Sequence, residues 1–592
     1  MTLGALRAAL RQGARPAEVM LEVYHRIDAL NDPGVFLYLL PRDEALLISE
    51  TLGEFDETKP LWGIPFAVKD NIDVAGMPTT AACPAYAYDA ETDAFAVARL
   101  RAAGAIPIGK TNLDQFATGL VGTRTPHPVP KNPLDPKLVP GGSSSGSAVA
   151  VAAGLVPFSL GTDTAGSGRV PAALNNIVGL KPSLGAISTQ GVVPACRTLD
   201  CVSVFALTVE DAFTVFQQAA GHCPEDPYSR KPTIGTPGAL PPDLTIAVPD
   251  ARSRQFFGDM VQAATFAEHI GRLKSLGAQI EAIDLAPFFA AAEMLYDGPW
   301  VAERHAVIEP LLAQDANTVH PVVRDIVSGA AKFSATDTFR AIYELNALRR
   351  RAQKAMAGID LICVPSIPTF YTSADLEDDP LGPNTALGTY TNFVNLLELC
   401  ALTVPMPERA DGRPGSVTLL GRDGADALLA SLGAVLQQFG SRRLGATDWP
   451  VPASPEPPSR ARDGEMEIVV CGAHMSGLPL NGELTSRGGR FLRATKTRPA
   501  YRLYRLPGGP PVRPGMVRNA EGGPIAVEVW TLPSSRFGDF IAGIPAPLCI
   551  GTVDLADGTA PKGFLCEAHA VAGAEDVTAI GNWRHVRTKV TA

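Results

Sequence analysis

Short apolar runs and amphipathic helical patterns alternate along the first three quarters of the chain. The apolar runs at 64–68, 106–108 and 361–364 each end in turn residues, which is typical of buried strands. Segments 93–105 and 337–356 instead carry apolar side chains at helical spacing. This alternation predicts an α/β fold in which helices pack on a buried sheet.

The pattern changes in the last part of the chain. Residues 467–471, 525–532 and 548–553 are runs rich in β-branched side chains, and Gly and Pro are frequent between them. Only the segment near Glu575 has a helical pattern there. We therefore predict a smaller, mainly β (α+β) region.

A proline-rich segment separates the two patterns. Residues 446–465 carry several prolines and charges and show no apolar period. A chain of 592 residues is also long enough for at least two cores. We predict an N-terminal domain at 1–445, a linker at 446–465 and a C-terminal domain at 466–592.

Composition and charge narrow the functional classes. The chain is 46% apolar and 19% charged with a net charge of −10, so it lacks the basic character that nucleic-acid binding requires. It has no apolar run of about eighteen residues and no signal-peptide pattern. Its nine cysteines are scattered, and neither a metal-ligand motif nor a dinucleotide glycine fingerprint occurs. We expect a cytoplasmic enzyme that binds no nucleic acid, no membrane, no metal and no organic cofactor.

Two runs of small residues stand out as candidate chemistry. Residues 141–147 read GGSSSGS and residues 161–168 read GTDTAGSG, with a short apolar segment between them. Glycine at this density lets backbone N–H groups turn toward one point, as in anion-binding nests and oxyanion holes. Both runs also supply hydroxyl groups, so they predict a catalytic or anion-binding site.

Two motif interpretations of these loops have weak support. Residues 142–146 match the G-x-S-x-G nucleophile elbow, with Ser144 as the nucleophile, but the preceding LDPKLVP is a poor match to the strand that an elbow follows. Residues 161–167 resemble a phosphate loop without the lysine that reaches the phosphates. A catalytic site in these loops would therefore need a different base and a different nucleophile.

Lys69 is a candidate base in a chain with only nine histidines. It follows the apolar run 64–68, which places it at the carboxyl end of a predicted core strand, where sites in α/β sheets gather. Burial disfavours the charged form of lysine, so a buried amine can accept a proton from a serine. The alternative is a solvated lysine at a strand end.

The motifs VKD, GGSSSG and GTDTAGSGR together resemble those of the amidase signature enzymes. These enzymes hydrolyse amides with a Ser-cisSer-Lys triad, and the matching residues here are Lys69, Ser143 and Ser167. The resemblance implies that Ser167 attacks the amide carbon and that Ser143, which follows a cis peptide bond, relays the proton to Lys69. It also implies an α/β/α layered fold with a central mixed sheet.

The same resemblance implies an oxyanion hole in the second loop. The backbone N–H groups of Thr164, Ala165, Gly166 and Ser167 would receive the negative charge that develops on the substrate oxygen. For Arg169, which ends the motif, we favour a structural role in holding the loop.

Two further segments resemble the allophanate hydrolases more closely than the wider family. They are GVVPACRTLDCVSVFA and LYDGPWVAERHA, and in those enzymes the second is a helix that binds substrate through Tyr296 and Arg304. Eight residues along one helix would let both side chains line one cleft. An ion pair of Arg304 with Glu303 or Glu309 is the alternative. Gly122 is a further candidate for substrate contact.

The end of the chain resembles the C-terminal domain of the same enzymes through VVCGAHMSGLPLNGEL and GTVDLADGTAPKGFLCEAHAV. That domain is associated with decarboxylation of N-carboxycarbamate, and a histidine suits the proton transfer involved. We prefer His569 as the catalytic residue, with His474 as the second candidate. Structural roles for both, and a domain that only mediates association, are alternatives.

The resemblance therefore implies an allophanate hydrolase that forms ammonia and carbon dioxide in urea or s-triazine degradation. It further implies a homodimer that associates with urea carboxylase pathway proteins. An amidase for another small carboxylated amide, similar to malonamate, and a non-catalytic amidase-fold scaffold are the alternatives. Retention of all three triad residues counts against the scaffold.

Overall fold

The strands form one large sheet, two smaller sheets and a two-stranded ribbon. The structure is a computed structural model that describes residues 1–440, 443–454 and 456–588, without the side chains of residues 587 and 588. Its strands are β1 (Phe36–Leu39), β2 (Pro65–Lys69), β3 (Pro78–Thr79), β4 (Tyr88–Asp89), β5 (Ile106–Thr111), β6 (Phe158–Asp163), β7 (Val178–Lys181), β8 (Cys201–Ala206), β9 (Thr245–Pro249), β10 (Gln279–Ile283), β11 (Leu361–Pro365), β12 (Cys400–Met406), β13 (Gly415–Gly421), β14 (Glu465–Val470), β15 (Arg490–Lys496), β16 (Tyr501–Arg505), β17 (Pro514–Arg518), β18 (Ala526–Pro533), β19 (Leu548–Thr552), β20 (Lys562–Cys566) and β21 (Glu575–Asp576).

Helices lie mostly in the first region of the chain, the part before the predicted linker, rather than in the second region, the part after it. They are α1 (Leu3–Arg11), α2 (Pro16–Leu30), α3 (Arg42–Glu50), α4 (Phe95–Ala102), α5 (Ser145–Ala152), α6 (Val170–Leu174), α7 (Val209–Ala219), α8 (Met260–Ser275), α9 (Ala286–Asp297), α10 (Val301–Asp315), α11 (Pro321–Ser328), α12 (Ala335–Ala355), α13 (Ser373–Asp378), α14 (Gly382–Leu387), α15 (Phe393–Leu396), α16 (Asp426–Gln437), α17 (Gly482–Thr485), α18 (Ser534–Ala542) and α19 (Trp583–Thr588). Within the described ranges, every helix is too short or too polar to cross a bilayer.

The large sheet has eleven strands in the order β1-β5-β2-β6-β8-β7-β12-β13-β11-β9-β10. The pairs β5–β2, β2–β6, β11–β9 and β9–β10 are parallel, and the other neighbours are antiparallel. The sheet is therefore mixed, which confirms the predicted α/β fold. The predicted helices at 93–105 and 337–356 are α4 and α12, each differing by a few residues at its ends.

The parallel pair β2–β6 determines where the candidate site lies. Because parallel neighbours end at the same edge of a sheet, Lys69 at the end of β2 lies beside the loop that follows β6. Helix α5, which begins at Ser145 in the first small-residue loop, packs behind β6 and is buried along its whole length. Its small side chains (SGSAVAVA) are apolar or hydroxylated on every face, as expected of a helix inside a core.

The second region is β-rich, as predicted. A five-stranded sheet, β15-β18-β14-β20-β19, and a three-stranded sheet, β17-β16-β21, share one core that includes Trp530 and Trp583. The prediction of helix near Glu575 is wrong: β21 pairs with β16 there, and Glu575 lies 3.6 Å from Arg505 across the pair. The helices of this region are α17, α18 and α19.

The described residues between α16 and β14 contain no helix or extended strand, and nearly all of the predicted linker lies in this stretch. The domain boundaries themselves stay a prediction.

A small polar network joins the second region to the first. Arg584 of α19 lies 2.6 Å from the fully buried Glu528 of β18 and 3.6 Å from Asp243, which precedes β9. The N–H of Ser476 donates to Glu528 (2.8 Å), and the Ser476 hydroxyl donates to the carbonyl oxygen of Pro242 (3.1 Å). Loss of Arg584 would leave the buried Glu528 carboxylate without its charged partner, which is costly, whereas the contacts that cross to the first region are those with Asp243 and Pro242.

Candidate active site

A continuous chain of polar contacts joins Lys69 to two serines. Lys69 Nζ lies 2.8 Å from Ser143 Oγ and 2.7 Å from Thr162 Oγ1, and Ser143 Oγ lies 2.9 Å from Ser167 Oγ. Lys69 is fully buried at the end of β2, and Ser167 lies in the loop after β6. The structure thus brings together the three residues predicted from the motifs.

Burial is the main influence on the charge of Lys69. It lowers the pKa of the amine to about 7, because the charged form loses its hydration. The carboxylates of Asp114, Asp163 and Asp200 oppose this effect, whereas the Arg304 guanidinium adds to it. A substantial fraction of Lys69 is therefore neutral near pH 7 and able to accept a proton.

The loop that presents Ser143 is packed too tightly for any residue but glycine at position 142. The peptide bond between Gly142 and Ser143 is cis. A Cβ atom on Gly142 would lie 2.0 Å from Oδ2 of Asp114 and 2.5 Å from the nitrogen of Gly122. Asp114 also donates its N–H to the carbonyl oxygen of Ser143 (3.0 Å). Asp114 therefore bonds the loop through its backbone N–H, and its side chain limits the space at Gly142.

The loop after β6 presents unengaged backbone N–H groups. Among the hydrogen bonds of the described residues, the N–H groups of Thr164, Ala165, Gly166 and Ser167 have no protein acceptor. Gly166 has a φ of +147°, and a Cβ atom there would lie 2.4 Å from Oγ1 of Thr391. These N–H groups are available to donate to an oxyanion. Their role as the oxyanion hole, which the resemblance implies, stays a prediction.

Two buried carboxylates hold this loop. Arg169 and Asp163 form a fully buried bidentate pair at 2.8 Å, and Arg169 also donates to the carbonyl oxygen of Thr391. Burial alone raises the pKa of Asp163, but the Arg169 guanidinium brings it below its ordinary value. Asp200 accepts a hydrogen bond from the hydroxyl of Thr164 (2.5 Å). These contacts agree with a structural role for Arg169.

The two other interpretations of the loops find no support in the geometry. Ser144 Oγ donates to the carbonyl oxygen of Thr162 (3.2 Å), and Ser144 directly precedes α5 without a strand before it. Residues 161–167 form the end of β6 and a turn, and the following α6 has five residues. Neither the nucleophile elbow nor the phosphate loop is present in these segments.

Arg304 is buried with one edge of its guanidinium free. It is 3% exposed, and Nη1 donates to Thr118 Oγ1 (3.0 Å) and to the carbonyl oxygen of Ala117 (3.4 Å). Nε and Nη2 are buried and have no hydrogen-bond partner within the described structure. The alternative of an ion pair with Glu303 or Glu309 is wrong, because Glu303 accepts instead from the hydroxyl of Thr198 (2.8 Å), and Glu309 is exposed whereas Arg304 is buried.

The expectation that Tyr296 and Arg304 lie on one helix is wrong. Helix α9 ends at Asp297, Gly298 is extended (φ −115°, ψ −178°), and α10 begins at Val301. The proline at 299 explains the break, because it disfavours helical conformation in the residue before it. Tyr296 and Arg304 still meet, with the guanidinium carbon 5.3 Å from the centre of the ring.

Gly122 approaches the first serine loop closely. It has a φ of +78°, and a Cβ atom there would lie 2.5 Å from the carbonyl oxygen of Gly141 and 2.7 Å from Cβ of Ser145. Packing between loops therefore requires glycine at this position. Substrate contact at Gly122 stays a prediction.

The two C-terminal histidines have contrasting surroundings. The side chain of His569 is 76% exposed, in a short turn after β20. His474 is largely buried, stacks on Phe564 at 4.9 Å, contacts the edge of Phe540, and places Nε2 3.0 Å from Glu483. Burial lowers the pKa of His474 although Glu483 opposes the shift. Of the two, only His474 lies in an enclosed polar and aromatic environment.

Sequence reasoning did not single out Asp114 and Thr118. Both lie in TNLDQFATG, which begins at Thr111, the last residue of β5. Because β5 is parallel to β2, its carboxyl end lies at the same edge of the sheet as Lys69. That topological position is the signal that could have identified this segment.

Comparisons with known proteins agree with the motifs and the geometry. The family model described as Amidase matches residues 18–430, and the one described as Allophanate hydrolase C-terminal domain matches residues 466–588. A urea amidolyase of Saccharomyces cerevisiae is 43% identical over 548 residues, which cover 90% of this chain and 30% of that protein. The chain thus spans just under a third of the length of this curated relative.

Two solved structures match the whole chain. An allophanate hydrolase of Kluyveromyces lactis has 39% sequence identity and a TM-score of 0.78, covering 100% of this chain and 99% of that one. The urea amidolyase of Kluyveromyces lactis has 39% identity and a TM-score of 0.77, covering 100% of this chain and 37% of that one. The chain therefore belongs to the amidase family and carries an allophanate hydrolase C-terminal domain.

Proposed function

We propose that this protein hydrolyses allophanate, a urea that bears a carboxylate. The observation that carries the substrate assignment is the free edge of the buried Arg304 guanidinium. Its Nε–H and one Nη2–H point in the same direction, which is the fork geometry that matches a carboxylate. A buried guanidinium without such a partner leaves charged donors unsatisfied, so an anionic ligand is favoured there. The match to an enzyme named allophanate hydrolase supports this choice.

Deamidation begins with a proton transfer through the three triad residues. As Ser167 Oγ attacks the terminal carbonyl carbon of allophanate, its proton passes to Ser143, and the proton of Ser143 passes to neutral Lys69. The N–H groups of Thr164, Ala165 and Gly166 stabilise the oxyanion that forms, each contributing about 3 to 4 kcal/mol.

The second half of the reaction returns these protons. Ser143 protonates the leaving nitrogen, the C–N bond breaks, and ammonia departs from a Ser167 acyl-enzyme. Water then attacks the acyl carbon, gives its proton to the same relay, and releases N-carboxycarbamate with the Ser167 hydroxyl restored.

The C-terminal region is proposed to decarboxylate that product, with His474 in preference to His569. Carbon dioxide leaves with cleavage of its C–N bond, the electron pair stays on nitrogen, and a protonated histidine supplies the proton. His474 is enclosed by Phe564 and Phe540; this burial lowers the pKa of the ring, and Glu483 at 3.0 Å opposes the shift and favours the protonated form. His569 lacks such an environment because its side chain is exposed.

Ammonia release from allophanate, malonamate and propionamide tests the substrate assignment. We expect allophanate to have the highest kcat/KM. Arg304→Lys should lower kcat/KM for allophanate about 100-fold, because lysine cannot form the fork, and should change propionamide hydrolysis little. Equal losses on the charged and neutral amides would reject Arg304 as the carboxylate site, and a preference for malonamate would favour another carboxylated amide.

A homodimer is proposed from an apolar stripe on α12. Phe339, Ile342 and Tyr343 are exposed on one face of this helix, whereas Leu345 and Leu348 on the opposite face are buried. Two copies of α12 packed against each other would cover this exposed stripe. Sedimentation equilibrium measures the mass, and a monomer would reject the dimer.

We further propose that this protein works in the cytoplasm with an enzyme that carboxylates urea. The support is the region matched in the longer proteins named urea amidolyase. Copurification of a urea-carboxylating activity tests the association, and cell fractionation tests the compartment.

A further inference from the structure

The turn that contacts Arg304 has an uncommon backbone. Phe116 and Ala117 are consecutive non-glycine residues in the left-handed region, with φ of +51° and +53°. Left-handed conformation is unfavourable for residues with a Cβ atom and persists only where the surroundings enforce it. The contacts of this turn therefore indicate what the conformation serves.

Neighbouring segments hold the turn in place. The side chain of Gln115 donates to the carbonyl oxygens of Ala82 and Thr318, both at 3.2 Å. The N–H of Phe116 donates to the carbonyl oxygen of Ala81 at 3.1 Å. Ala81 and Ala82 are themselves consecutive left-handed residues, with φ of +50° and +57°. Two left-handed turns are thus locked against each other.

The locked turn directs two acceptors at one nitrogen of Arg304. Thr118 Oγ1 donates to the carbonyl oxygen of Phe116 (3.1 Å), so its lone pairs are left to accept from Nη1 (3.0 Å). The carbonyl oxygen of Ala117 is a longer acceptor for the same nitrogen at 3.4 Å. Because the guanidinium is planar, fixing Nη1 also fixes the direction of the opposite Nε/Nη2 edge.

We propose that Thr118 is a positioning residue that sets the orientation of the free Arg304 edge and thereby the preference for carboxylated amides. This inference rests on the proposed role of Arg304 as the carboxylate site. Thr118 acts through Arg304, so it contributes to binding of the carboxylate and not to the chemistry at Ser167. The neutral part of the substrate is bound independently of it.

The test is steady-state hydrolysis of allophanate and propionamide by Thr118→Val, which keeps the branched shape and removes the hydroxyl. A lost hydrogen bond to a charged group corresponds to about tenfold in affinity or more, so KM for allophanate should rise about tenfold while kcat changes less than twofold. Propionamide kinetics should not change. Thr118→Ser should restore the KM for allophanate.

Thr125→Val is the matched control. Thr125 lies in the same loop, is largely buried, and bonds Asn112 Oδ1 (2.9 Å) instead of Arg304. This variant should leave the ratio of kcat/KM for the two amides unchanged. A second measurement adds Thr118→Val to Arg304→Lys, where it should raise KM for allophanate no further.

Several outcomes would overturn the inference. They are an unchanged KM for allophanate in Thr118→Val, equal losses on both amides, or additive effects with Arg304→Lys. If Thr118→Val does not fold, Thr118→Ala is measured in the same way against the same expectations. Failure of the proposed function is distinguishable, because the wild-type protein would then show no preference for allophanate over propionamide.

Discussion

The amidase centre and the His474 pocket differ in how deeply their candidate proton-transfer groups are buried. Lys69 is inaccessible to solvent and is bonded only to hydroxyl groups, whereas His474 lies near the surface and touches a half-exposed glutamate. The difference follows from the ordinary pKa of each group. A lysine accepts protons near pH 7 only when burial lowers its pKa by several units, whereas histidine already titrates there.

The largest effect is expected in the amidase centre, to which we assign the covalent step of the reaction. Ser167→Ala removes the nucleophile, so kcat for the first ammonia release from allophanate should fall about 10⁴-fold or more. Ser144→Ala, a buried serine beside the triad that contacts Thr162, is the matched control and should stay within tenfold of wild type. Near-normal turnover by Ser167→Ala would remove the nucleophile assignment.

An intermediate effect is expected in the C-terminal region. His474→Gln should slow decay of N-carboxycarbamate about 100-fold, a value typical of lost general acid catalysis, and should leave the first ammonia release unchanged. Carbon-13 NMR of labelled allophanate would measure the accumulated intermediate. His569→Gln is the control, and the intermediate should decay at the wild-type rate in this variant. Slow decay in His569→Gln together with normal decay in His474→Gln would instead favour His569, as predicted from the sequence.

The smallest effect, about tenfold between pH 7 and pH 6, is expected from the titration of Lys69 in the amidase centre. Because deamidation requires neutral Lys69, whose pKa is about 7, its kcat/KM should fall about tenfold per pH unit below 7 and level off above it. Initial ammonia release between pH 5 and 9 measures this profile, with the fold monitored by circular dichroism. A rate that does not rise with pH through 7 would contradict Lys69 as the base.

The sequence was most informative where burial constrains residue type. The site consists of two serines, a lysine and glycines that have no room for a Cβ atom, and few other residue types could replace them. The motifs around Lys69, Ser143 and Ser167 therefore predict the observed arrangement closely. The β2 strand was also predictable as an apolar segment that ends at the first of these motifs. Local pattern and tertiary structure agree there.

The sequence was least informative where contacts between distant segments of the chain determine the structure. The enclosure of His474 depends on Phe540 and Phe564, which are more than sixty residues away along the chain. The break at Gly298 interrupts an otherwise helical pattern because of one proline, and the strand at Glu575 exists only through pairing with β16. Burial of Arg304 likewise depends on the turn before Thr118, which is remote in sequence.

The crowding at Gly142 restricts how this protein can be diversified. Every side chain larger than hydrogen would collide with Asp114 there, so random mutagenesis of position 142 should yield almost only inactive clones. The break between helices α9 and α10 contains no triad residue. Libraries directed at that break offer a route to new amide selectivity with the hydrolytic machinery intact.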